Sequence, residues 1–207
     1  MIIAVDGPAA SGKGTLARAL AAHFGLNYLD TGTLYRMVAL SVLQAGENPG
    51  DVSAAERTAK SLDVSTYSDA DLRTARVEAA ASKVAAIPEV REAVLHTQRD
   101  FARTPPGAVL DGRDIGTIVC PDADVKLFVT ASAEVRARRR HEELSRRGED
   151  TSFDAVLADL TERDERDAKR AIAPLKPAED AHLLDSSDLS IEAAFRRAVA
   201  IIEAAKA

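Results

Sequence analysis

The chain of 207 residues has no tryptophan, a single cysteine and only 4% aromatic residues. One cysteine, Cys120, excludes an intramolecular disulfide and a metal site built from cysteines. No apolar stretch approaches the ~18 residues that a membrane-spanning helix needs, so we expect no membrane partner. The opening residues MIIAVDGPAA contain no basic leader and reach Asp6 after a short apolar run. We therefore expect no signal peptide and a cytoplasmic location.

The chain has no excess of positive charge, with 27 Lys and Arg residues against 33 Asp and Glu residues and a formal net charge of -6. A chain with this balance is not expected to coat nucleic acid or an anionic membrane, although it leaves room for local basic clusters. Hydrophobic residues make up 46% and charged residues 29%, which is typical of a soluble globular protein. The length suits one domain.

Short apolar runs alternate with segments of helical periodicity. This alternation predicts an α/β fold with a parallel sheet flanked by helices. The predicted strands are residues 2–5, 108–111, 125–129 and a short run near 182–184. The predicted helices are residues 13–24, a helix starting after residue 31, two helices separated at Pro88, residues 132–147, residues 153–173 and a closing helix over 191–202. The stretch 46–71 is rich in glycine, proline, serine and aspartate and is the candidate insertion.

The strongest functional signal lies between the first predicted strand and the first predicted helix. The segment fits a phosphate-binding loop, because glycines let backbone N–H groups turn towards phosphate oxygens and a helix N-terminus attracts anions. Lys13 would reach the β- and γ-phosphates of a nucleotide, and the hydroxyl of Thr15 would bind Mg²⁺. The alternative is a glycine-rich turn with a chance lysine. The predicted nucleotide-binding residues are Gly7, Pro8, Ala9, Ala10, Ser11, Gly12, Lys13, Gly14 and Thr15.

The expected nucleotide is ATP. GTPases recognise guanine with an Asn-Lys-x-Asp element, and neither Asn27 nor Asn48 precedes a lysine. The strict loop pattern places a hydroxyl directly after the lysine, whereas here Gly14 intervenes. This variant occurs in nucleoside monophosphate kinases.

Arginines near the ends of predicted elements indicate a second anion site. Phosphoryl transfer to a phosphate brings two polyanions together, and arginine and Mg²⁺ supply the neutralising charge. Arg36 and Tyr35 lie one turn into the helix that follows Asp30 and Thr31, close to the carboxyl edge of the predicted sheet. An N-capped surface helix with a solvated arginine explains this segment equally well by itself.

The predicted strand at 108–111 ends in Asp111 and is followed by Arg113 and Asp114. A carboxylate at this place is expected to hold Mg²⁺ opposite the phosphate-binding loop. Arg113 and Asp114 would then project from the loop that follows. The alternative is a tight turn with an Arg–Asp pair at the surface.

Two highly charged helical segments follow. Three- and four-residue spacing puts Arg163, either Arg166 or Asp167, and Arg170 on one helix face, as a mobile lid over ATP would require. A salt-bridged exposed helix is the ordinary alternative. The basic segment from Arg136 to Arg147 suits RNA, but the net acidity and the absence of interleaved aromatic residues favour a hinge and lid.

Together these segments resemble the family of bacterial cytidylate kinases over most of the chain. The resemblance is carried by GPAASGKGT at 7–15, DTGTLYR at 30–36, ASKVAAIPEVRE at 81–92, LDGRDIGTIVCPDADVKLFV at 110–129, ERDERDAKRAIAPL at 162–175 and DSSDLSIE at 185–192. Enzymes of this family move the γ-phosphate of ATP onto CMP or dCMP. The resemblance implies a P-loop NTPase-type parallel sheet flanked by helices, in one domain over residues 1–207. Its implied parts are a core (1–45, 73–147 and 174–207), a monophosphate-binding insertion (about 46–72, shorter than usual in the family) and a helical lid (about 148–173).

The resemblance also implies how the acceptor is bound. Ser82, Arg91 and Asp114 are similar to residues that read cytosine, and a carboxylate that accepts from the exocyclic amine suits cytosine better than uracil. The implied clamp on the acceptor phosphate consists of Arg36, Arg113 and Arg170. The implied ribose contacts are Arg163 and Asp167. Thr31 and Tyr35 are expected beside the bound acceptor.

By the same resemblance, four side chains would act on the transferring phosphoryl group: Lys13, Arg113, Arg163 and Arg170. Thr15 and Asp111 would hold Mg²⁺. The expected partners are therefore ATP and CMP or dCMP, with no nucleic acid, and the chain is expected to be a monomer.

Two rival functions stay open. One is another small-molecule P-loop kinase with UMP, AMP or shikimate as acceptor, against which the Ser82, Arg91 and Asp114 set argues. The other is an ATP-binding regulatory or RNA-binding module that uses the basic helix.

Overall fold

The computed structural model describes residues 1–63 and 67–205 of the chain. The strands are β1 (Ile2–Asp6), β2 (Asn27–Asp30), β3 (Ala108–Gly112), β4 (Val125–Thr130) and β5 (His182–Asp185). The helices are α1 (Lys13–Phe24), α2 (Gly32–Gln44), α3 (Val52–Lys60), α4 (Asp69–Leu72), α5 (Ala75–Val84), α6 (Pro88–Arg103), α7 (Ala133–Arg146), α8 (Phe153–Ala168) and α9 (Ile191–Ala205). A π-helical turn, Ile115–Val119, follows β3.

The five strands form one sheet in the order β2-β3-β1-β4-β5. The pairs β1/β3, β1/β4 and β4/β5 are parallel, so the strands bring their carboxyl ends to the same edge. In the β1/β3 register Val5 lies beside Asp111 and Asp6 lies beside Gly112. Ligands of open parallel sheets bind at this edge, where the chain leaves neighbouring strands in opposite directions.

The chain divides into two units, of which the first is Met1–Leu29 with Ala102–Ala207. Its core lies between the sheet and helices α1 and α9, because each helix directs one apolar stripe inward. Leu16 and Leu20 of α1 and Ile202 of α9 are buried with the strand residues Val5 and Leu127. This packing holds the amino end of α1 at the carboxyl end of β1.

The second unit, Asp30–Phe101, is helical. Its core is a separate cluster in which Val38 and Val42 of α2 pack with Val84 of α5 and with Val90 and Val94 of α6. Small residues such as Ala39 and Ala81 let the helices approach closely. The unit therefore has its own apolar interior.

Most of the predicted elements are confirmed. The parallel sheet is present, and α1 has the predicted bounds, with Gly25 as its C-cap at φ 64°. Ser132 caps α7 by accepting a hydrogen bond from the Val135 N–H. The chain breaks between α5 and α6 immediately before Pro88, as predicted.

The helices α3 and α4 were not predicted within the insertion, and two further elements, β2 and the π-helical turn, were missed because they lack the expected periodicity. The strand β2 has only four residues and mixed polarity, and it lies at the edge of the sheet, where no continuous apolar run is required. The π-helical turn is too short to carry a helical pattern. The N–H of Cys120, the residue that follows this turn, donates to the Ile115 carbonyl and closes the wide turn.

The prediction of a helix to residue 173 is wrong, because α8 ends at Ala168. The chain folds back beyond it, and the Leu175 N–H donates to the Asp167 carbonyl at 2.9 Å. Ala173 precedes Pro174, which disfavours helical backbone at Ala173, and its φ is 52°. Arg170 therefore lies beyond the helix that was expected to present it.

The insertion predicted at about 46–72 contains α3 and α4, and its residues 64–66 lie outside the described part of the chain. The division into core, insertion and lid stays a prediction. Among the described residues, no helix is long and apolar enough to cross a bilayer.

Candidate active site

The predicted phosphate-binding loop connects β1 to α1. Its first glycine, Gly7, lies so close to β4 that a Cβ atom there would be 2.0 Å from the Val129 carbonyl oxygen. Ala10 and Gly12 both have left-handed backbone, at φ 58° and 85°. Only glycine fits the close approach at Gly7, which explains why the loop begins with this residue.

The loop presents unused donors. The first turn of α1 has no side-chain cap and no acidic residue. Within the residues that the structure describes, the backbone N–H groups of Ala10, Ser11 and Gly12 make no hydrogen bond. Unsatisfied N–H groups at a helix N-terminus are a site for a phosphate anion.

The carbonyl groups of the same loop are held by side chains from elsewhere in the first unit. Arg136 Nη1 donates to the Ala9 carbonyl at 3.2 Å, and Arg139 Nη1 donates to the Ser11 carbonyl at 3.4 Å. Ser186 Oγ donates to the Ser11 carbonyl at 3.0 Å. Two arginines of the basic helix α7 are thus engaged inside the protein. Sequence reasoning missed this use of the basic helix, for which it weighed RNA binding against a hinge and lid.

Lys13 and Asp111 lie together at the carboxyl edge of the sheet, with 3.3 Å between Lys13 Nζ and Asp111 Oδ1. Asp111 is 2% exposed. Its other oxygen accepts a 2.7 Å hydrogen bond from the Tyr28 hydroxyl, a partner that the sequence did not suggest. The strand pairing therefore brings the predicted metal carboxylate to the predicted phosphate lysine.

The donor set fits Mg²⁺ that is bound mainly by phosphate and water. Thr15 is exposed in the first turn of α1, and Asp111 supplies a carboxylate at the same edge of the sheet. No group of three or more His, Cys, Asp or Glu side chains suited to a metal occurs among the described residues. Mg²⁺ usually keeps several waters and takes one or two carboxylates with substrate phosphates, so a fuller protein cage is not needed.

Asp6, the last residue of β1, holds the π-helical turn. Its two carboxylate oxygens accept hydrogen bonds of 2.8 Å from the Ile115 and Gly116 N–H groups. Burial raises the pKa of this carboxyl to about 6 and the charge of Asp114 adds to the rise, while the two N–H bonds and the charge of Lys13 oppose it. The carboxylate thereby fixes the backbone that follows Asp114.

Asp167, at the end of α8, brings two predicted clamp arginines together. It is 1% exposed, accepts a 3.0 Å hydrogen bond from Arg113 Nε and makes an ion pair with Arg170. Burial alone would raise its pKa, but the positive charges of Arg113, Arg170 and Arg163 outweigh burial and hold the pKa below its usual value. The carboxylate stays ionised and keeps guanidinium groups from distant chain segments in one place.

In the second unit, Arg36 of α2 has two close partners. Its Nη2 atom donates to Asp30 Oδ2 and to Thr33 Oγ1, both at 2.7 Å. A Cβ at Gly32 would lie 3.0 Å from both Arg36 Nη1 and Asp30 Oδ1. The glycine therefore leaves room for the oriented guanidinium.

The other predicted acceptor residues of the second unit are also buried. The Arg91 guanidinium lies over the Tyr35 ring, 5.4 Å from its centroid, and its Nη1 donates to the Ala85 carbonyl at 3.0 Å. Ser82 and Thr31 are each 4% exposed. Long polar side chains fixed inside a helical unit are suited to recognising a planar polar ligand.

The structure thus groups the predicted residues within units. In the first unit Lys13 lies with Asp111, and Arg113 and Arg170 lie with Asp167. In the second unit Arg91 lies with Tyr35. Asp6 carried one visible signal, a carboxylate that ends the strand before the loop. Arg136 was visible only as part of the basic segment and Ser186 only within the segment 185–192 that resembles the family, whereas Tyr28 carried no signal.

Comparison with known proteins gives a family match over nearly the whole chain. A family model described as cytidylate kinase matches residues 3–204. The cytidylate kinase of Bradyrhizobium diazoefficiens is 57% identical over 207 residues, which cover 100% of this chain and 98% of that protein. The cytidylate kinase of Methylocella silvestris is 58% identical over 205 residues, which cover 99% of this chain and 95% of that protein.

Among solved structures, the shikimate kinase of Bacteroides thetaiotaomicron superposes with a TM-score of 0.50 at 14% identity, covering 98% of each chain. Identity this low shows a shared fold alone. The P-loop kinase fold predicted from the sequence is confirmed.

Proposed function

The chain belongs to the cytidylate kinase family and is an enzyme that phosphorylates a nucleoside monophosphate, and we propose that it transfers the γ-phosphoryl group of ATP to CMP and dCMP. The products are ADP and CDP or dCDP. The observation that supports this most directly is the convergence of Arg113 and Arg170 on the buried carboxylate of Asp167. Their unit also contains the phosphate-binding loop and Lys13.

On the donor side, the backbone N–H groups of the loop bind the phosphates of ATP. The Lys13 ammonium contacts the β- and γ-phosphates, either in place of Asp111 or together with it, and neutralises part of their charge. Thr15 and Asp111 would hold Mg²⁺. When bound, the ion neutralises phosphate charge and helps to fix the phosphates in line.

On the acceptor side, Arg36, Arg113 and Arg170 bind the monophosphate. An oxygen of this phosphate attacks the γ-phosphorus of ATP, and the bond between that phosphorus and the β,γ-bridging oxygen breaks. The attacking oxygen is already anionic near neutral pH, so no general base is required. Arginine forks stabilise the charge on the transferring group, and Arg163 adds positive charge beside them.

The base and sugar are read by residues assigned from the family resemblance. Ser82, Arg91 and Asp114 would read cytosine, and Thr31 and Tyr35 would line the acceptor. Arg163 and Asp167 would contact the ribose. The present contacts of Asp167 give it a further role, because it holds the phosphate-binding arginines before any acceptor arrives.

Water must be excluded so that ATP is not hydrolysed. We propose that the segment at about 148–173 acts as the lid. We also keep three expectations as predictions: a monomer, a cytoplasmic location and a place in pyrimidine nucleotide metabolism.

A steady-state acceptor panel tests the function. ADP formation is measured with ATP and, in turn, CMP, dCMP, UMP, AMP and shikimate. We expect the highest kcat/KM with CMP or dCMP. A preference for AMP, UMP or shikimate would replace the proposed acceptor with that compound, and absence of ADP formation with every acceptor would overturn the proposal.

The RNA-binding alternative has its own measurement. Arg136 is 6% exposed and both it and Arg139 already donate to carbonyls, so two basic residues of α7 are not available to a phosphate backbone. We expect no RNA binding at physiological salt. Tight binding with a steep salt dependence would favour the alternative.

A further inference from the structure

Arg136 is buried in the first unit and uses all three of its guanidinium nitrogens. Nε donates to the Ala131 carbonyl at 3.0 Å, which fixes the side chain against its own helix start. Nη1 donates to the Ala9 carbonyl of the phosphate-binding loop at 3.2 Å. Nη2 lies 2.6 Å from Asp164 Oδ2 on α8. One planar group thus joins three chain segments.

The contact with Ala9 orients a backbone N–H group that can donate a hydrogen bond to phosphate. In a trans peptide the C=O and the N–H point in opposite directions, so the Ala9 carbonyl and the Ala10 N–H are oriented together. While Arg136 holds the carbonyl on the α7 side, the Ala10 N–H points to the other side of that peptide. That N–H is one of the loop groups without a hydrogen bond in the described structure.

The contact with Asp164 reaches the helix that carries the acceptor residues. Asp164 lies next to Arg163 and one turn before Asp167 on α8. Its Oδ1 atom is buried and has no hydrogen-bond partner within the described residues. Arg136 is therefore the main partner of this carboxylate, and loss of Arg136 would leave a partly buried negative charge without its ion-pair partner.

Apolar packing supports the same connection. Ala9 of the loop is buried in one cluster with Ala137 and Leu144 of α7 and with Val156 and Leu160 of α8. Val156, Leu160 and Asp164 recur every four residues, so the apolar stripe of α8 continues directly into the carboxylate that meets Arg136. The loop and α8 consequently contact the same face of α7.

We propose that Arg136 is a positioning residue that couples the donor and acceptor subsites. It orients the Ala10 N–H for ATP phosphate and, through Asp164, holds the part of α8 that carries Arg163 and Asp167. Two arrangements differ in energy: one in which Arg136 joins the loop to α8, and one in which this bridge is broken. Each nucleotide favours the bridged arrangement, so each should tighten the binding of the other by the same factor.

This inference rests on the proposed function, and binding measurements separate the two. A non-hydrolysable ATP analogue and CMP are titrated calorimetrically in the presence of Mg²⁺, each alone and each with the other saturating. For the unaltered protein we expect mutual tightening of about fivefold or more. If neither nucleotide binds, the proposed function fails; if both bind with no mutual effect, only the coupling inference fails.

Asp164→Asn isolates the bridge. It keeps the side-chain shape but removes the charge that holds Arg136, while the Arg136–Ala9 contact remains. We expect the affinity for the ATP analogue alone to change less than about threefold. We expect the mutual tightening to disappear, so that each nucleotide binds equally well with or without the other. Mutual tightening equal to that of the unaltered protein would overturn the inference.

Arg136→Lys and the matched control Arg138→Lys complete the test. A lysine has no planar fork and cannot reproduce the three directed contacts, so we expect about tenfold weaker binding of the ATP analogue together with lost coupling. Arg138 is exposed on the same helix, and its substitution should change neither quantity. Mutual tightening in Arg136→Lys equal to that in Arg138→Lys would contradict the bridge.

Discussion

Arg113 donates a 3.0 Å hydrogen bond from Nε to Oδ2 of Asp167, a residue 54 positions later in the chain. Arg170 makes an ion pair with the other carboxylate oxygen of Asp167. Two guanidinium groups that would repel each other are thereby held together by one buried anion. The pair of arginines is positioned before a phosphate binds, which lowers the reorganisation that phosphoryl transfer requires.

Removing either arginine should abolish most turnover and keep the fold. In Arg113→Ala or Arg170→Ala, the remaining arginine still neutralises Asp167, so the buried carboxylate keeps a partner. We expect kcat to fall by about 10³-fold or more, the range found for arginines that stabilise transferring phosphoryl groups. Stopped assays of ADP formation measure the loss. Lys169→Ala is the matched control, because Lys169 is exposed and pairs with Glu165. If either arginine variant turns over as fast as this control, the substituted arginine is not part of the clamp.

A methyl group at Gly32 should disturb Arg36. The new Cβ would lie 3.0 Å from Arg36 Nη1 and Asp30 Oδ1. Gly32 is the first residue of α2, where alanine is compatible with the helix, so the unit should still fold. We expect the KM for CMP to rise about tenfold, equivalent to ~1.4 kcal/mol, with the KM for ATP unchanged. Gly50→Ala, at an exposed loop glycine, should leave both KM values unchanged; equal values for Gly32→Ala would show that Arg36 does not bind the acceptor.

Asp114→Asn should reduce the preference for cytosine. The substitution replaces an acceptor with a group that can donate, which no longer matches the exocyclic amine of cytosine and better matches the carbonyl of uracil. We expect the ratio of kcat/KM for CMP to that for UMP to fall by roughly 10- to 100-fold. Asp122→Asn, at an exposed residue in the same region, is the control. An unchanged ratio in Asp114→Asn would exclude Asp114 from base recognition.

The buried carboxyl of Asp6 should make stability depend on pH. Burial raises its folded-state pKa to about 6, whereas in the unfolded chain it stays at ~3.9. Between these values only the folded protein holds the proton, so the contribution to stability grows as pH falls from 6 towards 4 and is lost as pH rises through 6. Urea unfolding at pH 7 and pH 4.5 measures the change.

Asp6→Asn isolates this effect, because asparagine does not titrate and other carboxyl groups are common to both proteins. We expect the unaltered protein to gain ~2 kcal/mol relative to Asp6→Asn between pH 7 and pH 4.5. Parallel changes in the unfolding free energy of the two proteins would show that Asp6 has an ordinary pKa.

Much of the fold followed from local pattern. The bounds of α1 and the break before Pro88 were predictable, because helical periodicity, a C-capping glycine and a proline act over a few residues. The end of α8 was not predictable, since it depends on a hydrogen bond from the Leu175 N–H to the Asp167 carbonyl. This bond forms only after the chain turns back. The strand β2 was missed because a short edge strand needs no apolar run.

The sequence by itself determined the phosphate-binding loop, the alternation of strands and helices, and the residue types of a site for two phosphates. These features are local, and a glycine spacing or an apolar period is visible without any partner. Only the tertiary structure decided which charges meet: Arg113 with Asp167, Asp111 with Lys13 and Tyr28, and Arg136 with the loop and Asp164. Burial is the physical reason, because charged groups removed from water together must satisfy one another, and the sheet and helix packing chooses which groups those are.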